Sequence, residues 1–360
     1  MLVSPQMEEY FGKSLMETLL LEFEERNPGI KLKIANNIMN SEADILFFED
    51  DSFSALVSAG LLKELSPFTN YDSGAPQMAV PLVSFMDMLF YNIDILSEVG
   101  FGSPPKTRDE FTSYARTVSR SEIDSAGAAL SLNSKDRHAL SRDVFSWIWA
   151  NGGSFWQNDD KPSLNSRVIV NDLNFLSVLN REGLLADDIF ETTGEQRMDQ
   201  FAQGRVALMI ASTRIIPYLR HRMGDSSFGV TTIPDSGAGR YTINLSAIYA
   251  GINSNTVYIE EAWSFLEFLT ENSALICAEL KAIPGLVSNI IPGDYVTNDP
   301  FYSKAWDIFE SALIAENFSG KPGAQQYEAI FLEELQIFFA ANRTAQQTVN
   351  AIQQRWDDIN

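Results

Sequence analysis

The stretch Ala43-Asp44-Ile45-Leu46-Phe47-Phe48-Glu49-Asp50-Asp51 decides the architecture. Its apolar run is continuous rather than alternating, the mark of a strand covered on both faces. The run stops at a string of carboxylates, and Phe53 to Leu62 then reads as a helix. Upstream, Leu15, Leu19, Leu20 and Phe23 recur at helical spacing, with Glu22, Glu24 and Glu25 on the other side. Asn27-Pro28-Gly29 stops that helix, and Ile30 to Ile34 alternates apolar and basic residues as a half-buried strand does. Leu2-Val3 reads as one strand more. Such alternation predicts an α/β unit with a largely parallel sheet.

Downstream, Ala79 to Ser84 is extended and Met88 to Leu96 is a second apolar stretch. Pro104-Pro105 makes a turn, after which Thr107 can cap a helix from Arg108 to Val118. Phe145 to Trp149 and Leu173 to Leu179 read as buried helices, separated by the aromatic loop Asn151-Gly152-Gly153-Ser154-Phe155-Trp156. Strands are expected at Ala207 to Ile210, Phe228 to Ile233 and Ala247 to Ile252. An amphipathic helix follows at Ala262 to Leu269, and a last one runs from about Ala345 to Ile359. A chain of 360 residues exceeds the size at which one core stops growing. No linker separates two contiguous halves, which predicts two lobes crossed by the chain more than once.

Charge and residue counts narrow the function. The chain has 26 basic against 48 acidic residues, and no stripe of Lys and Arg to neutralise phosphates, which argues against nucleic acid. The single cysteine, Cys277, excludes an intramolecular disulfide and a cysteine-built metal knuckle, and its apolar surroundings predict a core position. No run of 18 apolar residues is present to span a membrane. Met1 leads straight into Leu2-Val3 with no signal-peptide pattern, as expected of a mature form. His138 and His221 lie in polar surroundings without metal-ligand spacing and read as surface residues. Gly12-Lys13-Ser14 resembles the end of a phosphate-binding loop, but the glycine required five residues earlier is Met7. There is no GxSxG elbow, and Gly237-Ala238-Gly239 lacks the third glycine of a dinucleotide fingerprint. No catalytic residue, cofactor or metal is therefore expected.

Several segments, in order, carry a family resemblance: Leu20 to Ile30, Glu42 to Leu46, Ala59 to Leu65, Tyr91 to Leu96 and Pro105 to Phe111. Ala150 to Gly153, Phe201 to Leu208 and Ala262 to Leu269 continue it. The ordered set resembles the bacterial extracellular solute-binding proteins of ABC transporters, in their maltose-binding-like branch. That resemblance implies a two-lobed periplasmic-binding-protein fold, type II-like, with mixed sheets flanked by helices and an interlobe cleft with a hinge. It implies lobe one at 1–85 and 252–312, and lobe two at 86–251 and 313–360. It further implies a monomer outside the cytoplasm, in the periplasm or lipid-anchored at the outer face of the cytoplasmic membrane, which hands a small solute, first of all a sugar or oligosaccharide, to permease subunits. A signalling partner in place of the permease uses the same cleft, and a glycoside-acting enzyme is the remaining alternative.

Loops at the carboxyl ends of strands select the candidate ligand residues. They are Glu8, Glu49 and Asp50, then Phe85 and Asp87. The acidic string suits sugar hydroxyls or a cation, and equally the dipole of the following helix. Phe155 and Trp156 are taken as loop aromatics able to stack on a ring. Arg214 has the planar fork that clamps a carboxylate or phosphate, or else forms a surface ion pair. Tyr241, Asn244, Ser246 and Tyr249 lie where the resemblance implies a lobe-crossing strand, and Leu286 in a rim loop. Two departures stand out. Residues 35–43 replace a longer connection, and Arg214 and Ile248 stand where relatives carry tryptophan, which leaves nucleosides, polyols and acidic metabolites beside a sugar.

Overall fold

The computed structural model describes residues 1–360 apart from 36–41, 66–76, 137, 157–160, 165, 238–240, 286–292, 341–342 and 360. Its described strands, in chain order, are β1 (Leu2–Val3), β2 (Lys33–Ile34), β3 (Ile45–Glu49), β4 (Val80–Asn92), β5 (Ala126–Ala128) and β6 (Val206–Ser212). They continue with β7 (Phe228–Thr231), β8 (Thr242–Ile243), β9 (Leu245–Ile252), β10 (Ile283–Pro284) and β11 (Leu313–Ile314). The chain forms two units. Unit 1 holds Met1–Phe85, Ser246–Asp299 and Phe318–Ala324; unit 2 holds Met86–Leu245, Pro300–Asn317 and Gln325–Asn360.

In unit 1 the strand order is β2-β1-β3-β9-β4, with β10 pairing the start of β4. β1 is parallel to β2 and β3, whereas β9 is antiparallel to β3 and β10 to β4, so the sheet is mixed and parallel only at one side. The helix Lys13–Arg26 buries Leu15, Leu19 and Phe23, residues four apart and therefore on one face. Phe23 meets Phe265 and Phe268 of the helix Ile259–Glu271 at 4.9 and 5.4 Å between ring centroids. Each such ring contributes about 1.5–3 kcal/mol by leaving water. The helix expected at Phe53 to Leu62 runs Asp50–Ser58, because Gly60 at φ 63° turns the chain and the Leu61 N–H closes on the Leu56 carbonyl. The strand expected from Ile30 shortens to Lys33–Ile34, since the Ile30 N–H is taken by the Asn27 carbonyl in the Pro28-Gly29 turn.

In unit 2, β4 pairs antiparallel with both β6 and β7, and β5 lies parallel on β6. A separate parallel pair joins β8 and β11. Ala79 to Ser84 and Met88 to Leu96, read as two stretches, are mostly one strand of 13 residues that runs from unit 1 into unit 2. Thr107 caps the helix Arg108–Ser119 by accepting from the Glu110 N–H. That helix lies so close to β5 that a Cβ on Gly127 would stand 2.2 Å from the Ala115 carbonyl oxygen.

The division departs from the boundaries expected at 252 and 312. Ser246–Gly251 goes with unit 1 because β9 pairs β3 from Ile248 onward. Pro300–Ala312 goes with unit 2, where Phe301 stacks on Phe228 at 4.6 Å. Phe318–Ala324 returns to unit 1, where the Phe318 carbonyl accepts from Ser54 Oγ.

Candidate functional site

In unit 1 the carboxyl edge of the sheet gathers most of the expected residues. β1 and β3 are parallel, so the helix Gln6–Phe11 and the helix Asp50–Ser58 start from the same edge. Antiparallel β9 brings Ser246 and Ala247 back to it, with Glu49 opposite Ile248. Glu8 is exposed there and Glu49 half-buried. The Asp50 carboxylate accepts three hydrogen bonds: from the Ala247 N–H at 2.7 Å, the Tyr249 hydroxyl at 3.0 Å and Ser319 Oγ at 2.6 Å. It also sits in the first turn of its helix, where the dipole favours negative charge. Tyr249 stacks on Phe48 and leans on Phe53; burial, and then the Asp50 charge, hold its hydroxyl pKa well above the usual tyrosine value. Ser246 Oγ donates to the carbonyl of Phe85, whose own side chain is buried.

In unit 2 a second set forms around Asp87. Its carboxylate accepts from Asn244 Nδ2 at 2.8 Å and Ser146 Oγ at 3.3 Å, while its N–H donates to the Asn244 carbonyl. Burial pushes its pKa above the ordinary aspartate value, against the opposing pull of the Asn244 bond. β6 runs opposite, pairing Ser212 with Asp87, and the next residue, Thr213, accepts the Met86 N–H at 3.1 Å. Arg214 then projects as an exposed residue on a short turn capped by Ser212. The Tyr241 hydroxyl accepts the Ile233 N–H, and burial raises its pKa.

The loop aromatics are placed differently from the expectation. Phe155 is fully buried, its ring centroid 4.4 Å from Phe145, 6.1 Å from Phe331 and 6.4 Å from Trp356. Trp156 is buried as well and bridges to Pro162. These rings belong to the core of unit 2 because the C-terminal helices Ala324–Ala340 and Ala345–Asp357 supply Phe331 and Trp356. Leu286 lies outside the described residues. Three residues that contribute to these sets are not marked by the sequence: Ser146, Thr213 and Ser319. Their partners are far along the chain, Ser319 lying 269 positions from Asp50, so no local spacing signals them. Among the described residues no group of His, Cys, Asp and Glu is placed to hold a metal ion. No described helix is long and apolar enough to cross a membrane.

The chain belongs to the bacterial extracellular solute-binding protein family, whose model matches residues 4–275. A Deinococcus radiodurans protein named "Probable ABC transporter-binding protein" is 23% identical over 257 residues, 68% of this chain and 60% of that one. The sugar-binding protein MalE of Xanthomonas citri has a similar structure, with TM-score 0.78 and 16% identity over 99% of this chain and 96% of its own. UgpB of Mycobacterium tuberculosis, solved in complex with glycerophosphocholine, superposes with TM-score 0.76 and 16% identity over 99% and 97% of the two chains. The fold is that of the two-lobed periplasmic binding proteins, with mixed sheets flanked by helices.

Proposed function

We propose that the chain is the non-catalytic substrate-binding receptor of an ABC importer, taking a carbohydrate outside the cytoplasm and delivering it to permease subunits. The family match over residues 4–275 carries this reading. The likeness to MalE, a sugar-binding protein, supports the solute class. The two lobes close on the solute through a hinge, the repertoire of such binders. Glu8 and Glu49 on unit 1, with Arg214 on unit 2, are the candidate polar contacts, by their exposed or half-exposed positions past the strand ends. The receptor acts as a monomer.

A second reading, a polyol phosphodiester, rests on Arg214. Its exposed guanidinium stands at the end of β6 and suits a phosphate by its bidentate geometry. A thermal-shift series with maltose, maltotriose and glycerophosphocholine separates the two. At 100 times its dissociation constant a bound solute adds about 2.7 kcal/mol to unfolding, a clear rise in Tm. A shift with the saccharides supports the first reading. A shift with glycerophosphocholine that Arg214→Ala abolishes supports the second. No shift with any of the three, in protein first unfolded and refolded to strip resident solute, counts against both.

A further inference from the structure

The chain passes between its units at 85/86, 245/246, 299/300, 317/318 and 324/325. Two of these passages fall where a helix begins, at Pro300 and Ala324. The other three share a feature on either side. In unit 2, Asp87 lies two residues past its crossing and Asn244 two residues before the next, and the two are joined by both the side-chain and the backbone bond. Asn317, the last residue before the third crossing, donates to Asn244 Oδ1 at 3.4 Å and to the Leu245 carbonyl at 3.3 Å. In unit 1, Asp50 binds Ala247 and Ser319, each two residues past its crossing, and Ser246 reaches back to the carbonyl of Phe85. The same helix holds the Phe318 carbonyl through Ser54 Oγ at 3.2 Å.

We infer that Asp87 and Asp50 are positioning residues of a double hinge clamp, one in each unit, which bind the three crossings into a single articulated joint. The inference rests on the receptor reading above. Each of these three crossings is anchored within two residues on both sides, which leaves the linking peptides at 85–86, 245–246 and 317–318 as the steps between anchors. Only two soft torsions per residue are available there. Hinges of this kind absorb closure in a few positions at the ends of elements. Three crossings tied together also have fewer relative orientations to lose when the units close, which strengthens binding by pre-organisation. Carboxylates suit the task because one group accepts several donors and makes charge-assisted bonds.

The clamp makes the crossings interdependent, and that distinguishes it from ordinary packing. Loosening one crossing should be felt at another. The test is amide hydrogen exchange on the ligand-free chain, comparing wild type with Asn317→Ala, Ser319→Ala and Ser319→Thr. Asn317→Ala should speed exchange at the Asp87 amide, on a different crossing, by about tenfold, the size of one lost hydrogen bond in a local opening. Ser319→Ala should do the same at Ala247, and Ser319→Thr, which keeps the hydroxyl, should restore protection. Amides in the helices Lys13–Arg26 and Arg108–Ser119 should be unchanged. Exchange unchanged at Asp87 and Ala247 would overturn the clamp. So would a uniform acceleration across a whole unit, which reports lost global stability instead. No solute enters this experiment, so its failure leaves the receptor reading intact. A loosened joint in a chain that binds none of the three solutes would sink that reading alone.

Discussion

Replacing Arg108 with Met removes the cation of a buried pair in unit 2 and should produce a loss of stability that grows with pH. Arg108 opens the helix Arg108–Ser119, and its guanidinium donates to Asp172 Oδ1 and, at 2.8 Å, to the Trp147 carbonyl. It also lies 4.8 Å from the Phe175 ring centroid. Asp172 is wholly buried and keeps one other described donor, Asn151 Nδ2 at 3.0 Å. Burial pushes the Asp172 pKa up to about 6 from the ordinary 3.8, with Arg108 as the strongest opposing influence. Its folded-state value therefore lies above its unfolded one. The stability linked to its proton is complete below the unfolded value and lost as pH rises through about 6. Among the described residues no other cation offsets the burial once Arg108 is gone, so the value climbs further and the loss extends to higher pH. Removing one partner of a buried pair costs about 3–5 kcal/mol while the other stays charged, which sets the expectation at pH 8. At pH 5 Asp172 takes up a proton and the loss falls to about 1–3 kcal/mol, the cost of leaving the Trp147 carbonyl without this donor. Urea titrations at the two pH values, followed by fluorescence, report mainly on unit 2, which holds Trp147, Trp149, Trp156, Trp306 and Trp356. The comparison uses the wild-type-to-variant difference at each pH, so other titrating groups cancel. An equal loss at both pH values, or less than about 1 kcal/mol at pH 8, would refute the claim that Arg108 neutralises a buried charge.

Phe155→Ala should destabilise unit 2 by about 3–5 kcal/mol in the same titration, while the affinity of the folded variant for whichever test solute binds the wild type stays unchanged by calorimetry. A lowered affinity at full folding would return Phe155 to the binding surface. Gly127→Ala should lower stability by about 1–3 kcal/mol, read by thermal melting, because the added Cβ meets the backbone of the helix Arg108–Ser119 rather than a side chain that can move. Burial pushes the Cys277 thiol up to about 12, so a thiol-reactive dye at pH 8 should label the unfolded chain quickly and the native chain only at the rate of unfolding.

What the sequence made legible is what neighbouring residues decide. Ile45 to Phe48 is apolar throughout and forms a buried strand. Thr107 has the right side chain one residue ahead of a helix, and it caps. The single strand β4 was harder, because a long apolar run carries no period to separate one strand from two elements. The helices Pro300–Ser311 and Ala324–Ala340 passed unread, although the second supplies Phe331 to the core that encloses Phe155. That omission also explains the misplaced aromatics: beside Gly152-Gly153 they look like loop residues until the rings that cover them are known.

The carboxylates show the same limit more sharply. Local rules pick out Asp50 and Asp87 correctly as acidic groups at strand or unit boundaries, and then stop. Whether such a group faces a solute or the protein depends on which donors reach it. For Asp50 those donors are Ala247, Tyr249 and Ser319; for Asp87 they are Ser146 and Asn244, 59 and 157 positions away. A carboxylate that already accepts two or three bonds has little left to offer a hydroxyl from outside, and breaking its bonds costs more than one new bond returns. Glu8, exposed on its helix with no such set of donors described around it, has the opposite balance. A sugar-binding residue in unit 1 is therefore better sought at Glu8 than at the more conspicuous Asp50, and the difference between them lies in partners that only the fold assembles.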